Sequence, residues 1–94
     1  MATVVVTPTA RRNLDVLIET LSLPPSTRDR VKASLEPLRR FPRLGGVLDG
    51  RWADFRFVLG PWRWMIVVYR YDEALDQVAI VTIRDARSAR SPRP

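Results

Sequence analysis

The sequence has no cysteine and no histidine among its 94 residues. Their absence excludes thiolate chemistry, zinc sites built from Cys and His, and nucleophiles that a histidine activates. Any acid–base chemistry must therefore come from Asp, Glu, Tyr, Lys or an unusual arginine. We expect a protein that needs no metal and no cofactor.

A long apolar run is also missing, since no stretch approaches the ~20 residues that a membrane span needs. The opening letters "MATVVVTPTARR" lack the basic segment that precedes the apolar part of a secretory signal. We therefore expect a cytoplasmic protein with no membrane partner. The length suits one domain, which we predict over residues 1–87, followed by a basic, Ser/Pro-rich and flexible tail at 88–94.

Lysine is scarce, because fifteen of the sixteen basic residues are arginine. The formal net charge is +6, and the sequence pI is about 11.2. Arginine carries a planar fork that matches phosphate and carboxylate, so this balance favours nucleic acid or an acidic protein as partner. A GC-rich genome would explain the preference for arginine over lysine, but it would not explain the net charge.

The first half of the chain has the pattern of a strand followed by two helices. "TVVVT", from Thr3 to Thr7, is β-branched and suits a strand. Thr7 and Pro8 are a cap and a first helical residue, and apolar residues follow at spacings of three and four. "LPPS" ends this helix, and a second begins with Ser26 as its cap and is bent at Pro37.

The second half has the period of strands. Runs at Trp52 to Leu59, Trp62 to Tyr71 and Val78 to Ile83 are separated by Gly60-Pro61 and by a polar loop. The order is therefore β-α-α-β-β-β. We predict an α+β fold with a four-stranded antiparallel sheet and two helices packed on one face.

The stretch "FRFVLGPWRWMIVVYRY" is apolar on both faces of its predicted strand. Alternation places Arg63, Tyr69 and Tyr71 on one face, and the helices can cover only one side of the sheet. We expect these side chains on the uncovered side, as a surface for an anionic partner. In the alternative, the strand is central and its second face is covered by the tail or by a second copy of the chain. The three tryptophans are read as core residues rather than as stacking platforms.

Two stretches resemble the RelE/ParE superfamily of bacterial type II toxins. They are "TPTARRNLDVL", from Thr7 to Leu17, and "LDGRWADFRFVLGPWRWMIVVY", from Leu48 to Tyr69. The second is similar to the family's Leu-x-Gly, Arg, Gly-x-x-Arg and apolar strand ending near a tyrosine. The resemblance covers about residues 3 to 87. It implies a small toxin that is held inactive by an acidic, co-produced antitoxin wrapped around it.

The resemblance leaves two targets open. RelE-like members cleave mRNA in the decoding site of the ribosome, whereas ParE-like members poison DNA gyrase without cutting nucleic acid. Under the first alternative, three arginines hold and neutralise the scissile phosphate, and three further residues bind RNA. The catalytic set is Arg56, Arg63 and Arg87, and the RNA-binding set is Arg84, Arg90 and Tyr69.

The chain departs from the nuclease pattern at three places. Val58 stands where a second strand cation is common, Asp54 lies where some members have lysine, and no tyrosine follows Ile83. The remaining candidates for proton transfer are Asp54, Asp85, Tyr69 and Tyr71. A purely structural alternative pairs Arg56 and Arg63 with Asp54 or Asp85 as ordinary surface ion pairs.

Short helices place the mRNA endonuclease ahead of the gyrase inhibitor, because ParE-like toxins tend to carry a longer helical hairpin. A decayed toxin that only binds its antitoxin is the third alternative.

Overall fold

The computed structural model describes residues 1–87. The strands are β1 Thr3–Val6, β2 Gly46–Val47, β3 Arg56–Leu59, β4 Met65–Asp72 and β5 Gln77–Asp85. The helices are α1 Pro8–Thr20, α2 Thr27–Leu35 and α3 Pro37–Arg40, with a 3-10 turn at Gly50–Trp52. The described part of the chain contains no helix that is long and apolar enough to cross a membrane.

The junction between β1 and α1 follows from its sequence. Thr7 has an extended backbone, and its side chain accepts a hydrogen bond from the amide of Ala10 at 3.2 Å, while Pro8 opens the helix. The Thr7 hydroxyl also donates to the carbonyl of Ile80 at 2.7 Å. One side chain therefore starts α1 and ties it to β5, against which the helix packs.

Proline 37 divides the second helical segment instead of bending it. α2 ends at Leu35 and α3 begins at Pro37, because a proline removes one helical hydrogen bond and crowds the preceding turn. The predicted cap at Ser26 makes no side-chain hydrogen bond to the helix. The hydroxyl of Thr27 donates instead to the carbonyl of Pro24 at 2.7 Å.

The sheet has five strands in the order β1-β5-β4-β3-β2. β1 runs parallel to β5, and the other three pairings are antiparallel. The α+β class, the two main helices and the three successive antiparallel strands are therefore confirmed. The prediction of a four-stranded antiparallel sheet was wrong in two respects. The sheet has a fifth strand, the two-residue β2, and β1 runs parallel to β5.

The predicted facing of β4 was wrong. Met65, Val67 and Tyr69 are fully buried in the same cluster as the apolar residues of α1 and α2. The opposite face is not bare either, because Ile66 and Val68 pack beneath partly buried residues of the chain that precedes and forms β3. Those covering residues are Trp52, Phe55 and Phe57.

Candidate nucleic-acid interface

Two of the predicted phosphate-binding arginines lie at the same end of the sheet. Arg63 is exposed in the turn that precedes β4, and Arg87 is exposed in the turn that follows β5. β4 and β5 pair Met65 with Asp85, and the amide of Ala86 donates to the carbonyl of Trp64 at 2.6 Å. The antiparallel pairing therefore places at the same end of the sheet two arginines that are 24 positions apart in the chain.

A column of aromatic rings and guanidinium groups supports this end. The rings of Trp62 and Trp64 are stacked, with centroids 5.8 Å apart and planes inclined by 6°. The Arg87 guanidinium carbon lies 4.9 Å from the Trp64 centroid, and that of Arg30 in α2 lies 5.9 Å from the Trp62 centroid. Both distances allow cation–π attraction, so the column connects α2 to the end of β5.

Arg87 also forms a bidentate ion pair with Asp85. Its Nε and Nη2 donate to the two carboxylate oxygens at 2.9 and 2.8 Å, and its amide donates to Oδ1 at 2.9 Å. Hydrogen bonding from Arg87 holds the pKa of Asp85 below its ordinary value, and the same contact raises the pKa of Arg87. Asp85 is therefore a weak base in this arrangement.

Arg63 differs from Arg87 in its surroundings. Within residues 1–87 it takes part in no hydrogen bond and no ion pair. The ion pairs that we considered for Arg56 and Arg63 are absent from the same residues, because Asp85 pairs with Arg87 instead. Arg63 thus presents an uncompensated positive charge at the end of the β3–β4 hairpin.

Arg56 lies away from this pair. It is the first residue of β3, pairs with Tyr69, and so lies roughly 13 Å along the strands from the level of Met65. Its Nη1 donates to the carbonyls of Gly45 at 3.0 Å and Arg43 at 3.3 Å. These contacts fix the loop between α3 and β2, so Arg56 has a structural role and is not brought together with Arg63 and Arg87.

Tyr69 is fully buried on the helix side of the sheet. The amide of Gly45 donates to its hydroxyl at 2.9 Å. Burial raises the pKa of Tyr69, while the hydrogen bond from Gly45 and the nearby charge of Arg56 act in the opposite direction. A phenol that is buried and already bonded cannot reach a bound RNA, so its predicted contact with RNA finds no support in this geometry.

The Tyr69 hydroxyl gives a testable prediction. We expect Tyr69→Phe to lower the free energy of unfolding by about 1–3 kcal/mol, because the buried Gly45 amide loses its acceptor. Tyr71→Phe is the matched control, since its hydroxyl donates to Asp76 at an exposed position and its loss should matter little. Urea unfolding at neutral pH compares the two variants.

The raised pKa of Tyr69 adds a pH dependence with a defined sign. The unfolded chain releases this proton near pH 10, and the folded chain only above that value. The stabilisation is therefore complete below pH 10 and is lost as the pH rises through the folded pKa. A Tyr69→Phe protein that lost stability above pH 10 as steeply as the wild type would contradict this assignment.

The other predicted RNA-binding residues are dispersed. Arg84 pairs with Ile66 and so shares the face opposite the helices, where its Nε is buried without a hydrogen-bond partner among residues 1–87. Arg90 lies outside the described residues. Residues 1–87 also contain no group of three or more acidic, Cys or His side chains that could hold a metal ion.

A groove lies between α1 and α2, with a volume of about 510 Å³. Its floor is apolar and includes residues of β1, both helices and β5, while cations and two carboxylates stand at its rim. Arg28 and Asp15 form an ion pair of 2.6 Å between the two helices at this rim, and both side chains are exposed. The groove is therefore an apolar channel with a charged, accessible edge.

Three solved structures have a fold similar to that of this chain. A chain of the toxin–antitoxin complex RelBE2 from Mycobacterium tuberculosis superposes with a TM-score of 0.66 and 28% identity, covering 89% of this chain and 96% of that one. The chain belongs to the RelE/ParE superfamily. The same fold occurs in two conserved hypothetical proteins of Helicobacter pylori, HP0894 and HP0892. Their TM-scores are 0.62 and 0.60, each at 16% identity over 90% of this chain and 94% of theirs. No protein-family model and no curated protein matches the sequence.

The aromatic column of this RelE/ParE member is not among the features that the sequence predicts. Trp62 and Trp64 were read singly as core residues, yet both are only partly buried and support Arg87. The signal that could have found them is the order Trp-Arg-Trp at a predicted turn. Two rings that flank an arginine at the end of a hairpin are well placed to stack on one another beside that arginine.

Proposed function

We propose that this chain is the toxin of a type II toxin–antitoxin pair and that it acts as a ribosome-dependent mRNA endonuclease. The observation that carries the proposal is the placement of Arg63 and Arg87 at one exposed end of the sheet. Two guanidinium groups can bind neighbouring oxygens of an RNA backbone. The target requires the cytoplasm, where ribosomes are found.

The chemistry that this end can supply is positioning and charge stabilisation. Cleavage of RNA at a 2′-hydroxyl develops negative charge on the phosphate, and fixed guanidinium groups stabilise that charge. Among residues 1–87, Tyr69 is buried, Asp85 is paired with Arg87, and the Tyr71 hydroxyl donates to Asp76. We infer that the ribosome orients the RNA and that the arginines lower the barrier at the phosphate.

The antitoxin, under this proposal, occupies the groove between α1 and α2. The floor offers apolar surface to one face of an amphipathic segment, and the rim includes four cations. An acidic antitoxin would match both properties, and the net charge of +6 would draw it toward the toxin. The cations of the rim are Arg11, Arg28, Lys32 and Arg39.

The lengths of the helices favour mRNA over gyrase. α1 has 13 residues and α2 has 9, so they are ~20 and ~14 Å long. The resemblance associates gyrase inhibition with a longer helical hairpin than these two helices form. Inhibition of gyrase is therefore the alternative result that the experiment below can detect.

The experiment is controlled expression of the chain without an antitoxin. We expect new mRNA 5′ ends within translated codons soon after induction, with the supercoiling of a reporter plasmid unchanged. Blocking translation initiation on one reporter transcript should remove the new ends from that transcript alone. Broken DNA bound to gyrase, with mRNA left intact, would instead assign the chain to the ParE-like branch.

A further inference from the structure

The guanidinium of Arg87 is already engaged in the free protein. Its Nε and Nη2 form an edge that faces the two oxygens of Asp85 at 2.9 and 2.8 Å. Arginine uses this edge for bidentate binding of phosphate as well as of carboxylate. A phosphate that approaches Arg87 from this side therefore meets a carboxylate where its own oxygens would bind.

The two partners of this ion pair differ in exposure. The side chain of Arg87 is 61% exposed, and that of Asp85 is 20% exposed. Asp85 belongs to β5 and pairs with Met65, whereas Arg87 lies in the turn beyond the strand. The carboxylate is thus the fixed partner, and the guanidinium is the partner that can turn away.

The charges at this end are also unequal. Arg63 is uncompensated within residues 1–87, whereas Arg87 and Asp85 together contribute no net charge. The guanidinium of this pair is mostly exposed to water, which weakens the ion pair, so exchange of the carboxylate for a phosphate has a small cost. The ring of Trp64, 4.9 Å from the guanidinium carbon, holds Arg87 at this end of the sheet while its Nε–Nη2 edge changes partner.

We propose that Asp85 competes with RNA phosphate for Arg87 and thereby limits the affinity of this end of the sheet for RNA. This inference rests on the proposed function, which places an RNA phosphate at Arg63 and Arg87. When RNA binds, Arg87 turns from the carboxylate to the phosphate. Asp85 therefore determines how tightly the free toxin holds RNA.

Binding of a short, fluorescein-labelled, single-stranded RNA tests the competition. We expect Asp85→Asn to tighten binding about three- to fivefold at physiological ionic strength. Asp54→Asn is the matched control, because it makes the same change in net charge at an exposed residue before β3, near the opposite end of the hairpin. The control should tighten binding by about twofold at most, since salt screens charges at that distance.

The competition is tested most directly by repeating the Asp85→Asn measurement in a protein that also carries Arg87→Ala. Without Arg87, Asp85→Asn should give no more than the gain that Asp54→Asn gives. The competition is wrong if Asp85→Asn and Asp54→Asn have equal effects in the wild-type background, or if the gain at Asp85 is undiminished without Arg87. Thermal unfolding of each variant establishes that every protein compared is folded.

The same measurements separate this inference from the proposed function. If Arg63→Ala and Arg87→Ala weaken binding but Asp85→Asn behaves like the control, only the competition is overturned. Two results together would show that RNA does not bind at this end. Arg63→Ala would leave the affinity of the wild-type protein unchanged, and Arg87→Ala would leave the affinity of the Asp85→Asn variant unchanged. That outcome overturns both proposals.

Discussion

Gly45→Ala is expected to destabilise the protein by roughly 3 kcal/mol or more, a large part of the stability of a small domain. A Cβ at this position would lie 2.5 Å from the carbonyl oxygen of Phe57 and 2.7 Å from the Tyr69 hydroxyl. The first contact is backbone of β3 and cannot rotate away. The second is the acceptor of the Gly45 amide, so relief of the clash also strains a buried hydrogen bond.

Gly46→Ala is the control next to it in the chain. Its Cβ would lie 2.6 Å from Cε1 of Phe57, which belongs to a side chain that can turn, and Gly46 itself is exposed. We expect a loss below about 1 kcal/mol, measured for both variants by chemical unfolding with tryptophan fluorescence. Equal losses for the two variants would show that the loop between α3 and β2 is not held against β3 as described.

Arg63→Ala is expected to reduce mRNA cleavage about 100-fold, since removal of one group that stabilises developing charge has effects of this size. Arg63 has no partner within residues 1–87, so the change should leave the free energy of unfolding within about 0.5 kcal/mol. The measurement is the yield of new 5′ ends on a reporter transcript at equal toxin concentration.

Arg70→Ala makes the same change in charge elsewhere. Arg70 is exposed near the far end of β4, where it pairs with Ala79. We expect its effect on cleavage to stay within a few-fold, because charges beyond about 10 Å are largely screened at physiological salt. Cleavage that fell equally in both variants would mean that overall positive charge, and not this end of the sheet, determines activity.

Local chemistry made the element boundaries of the first half predictable. Thr7 followed by Pro8 specifies a cap and a first helical residue, and the structure has both. Pro37 was recognised as a disturbance, but a bend and a break differ only in whether the surrounding contacts keep the two pieces aligned. Those contacts depend on tertiary packing, which the local sequence does not contain.

The facing of β4 could not be predicted because both of its faces are apolar. Met65 and Val67 on one side, and Ile66 and Val68 on the other, make the pattern a continuous run without alternation. Which face of β4 lies against the helices is determined by packing with distant parts of the chain. The helices cover the side of Tyr69, and the residues before β3 cover the other side.

Only part of the candidate site could be predicted, because its geometry also depends on contacts between distant parts of the chain. The resemblance indicates Arg63 and Arg87, and their placement at one end of the sheet follows from the register of β4 and β5. Arg56 was singled out by the same resemblance, but a hydrogen bond to the carbonyl of Gly45 commits it to the loop. Neither the register nor this loop contact has a local signal, since both join residues that are distant in sequence.

The three native tryptophans allow the most direct test of the central claim that RNA binds at the end of the sheet that carries Arg63 and Arg87. Trp62 and Trp64 are part of this end, whereas Trp52 packs against Phe55 on the opposite face. A titration with short single-stranded RNA, followed by the indole N–H resonances, needs no substitution. The account predicts a large shift for Trp64, a smaller one for Trp62 and none for Trp52. A shift of Trp52 with Trp64 unchanged would contradict it.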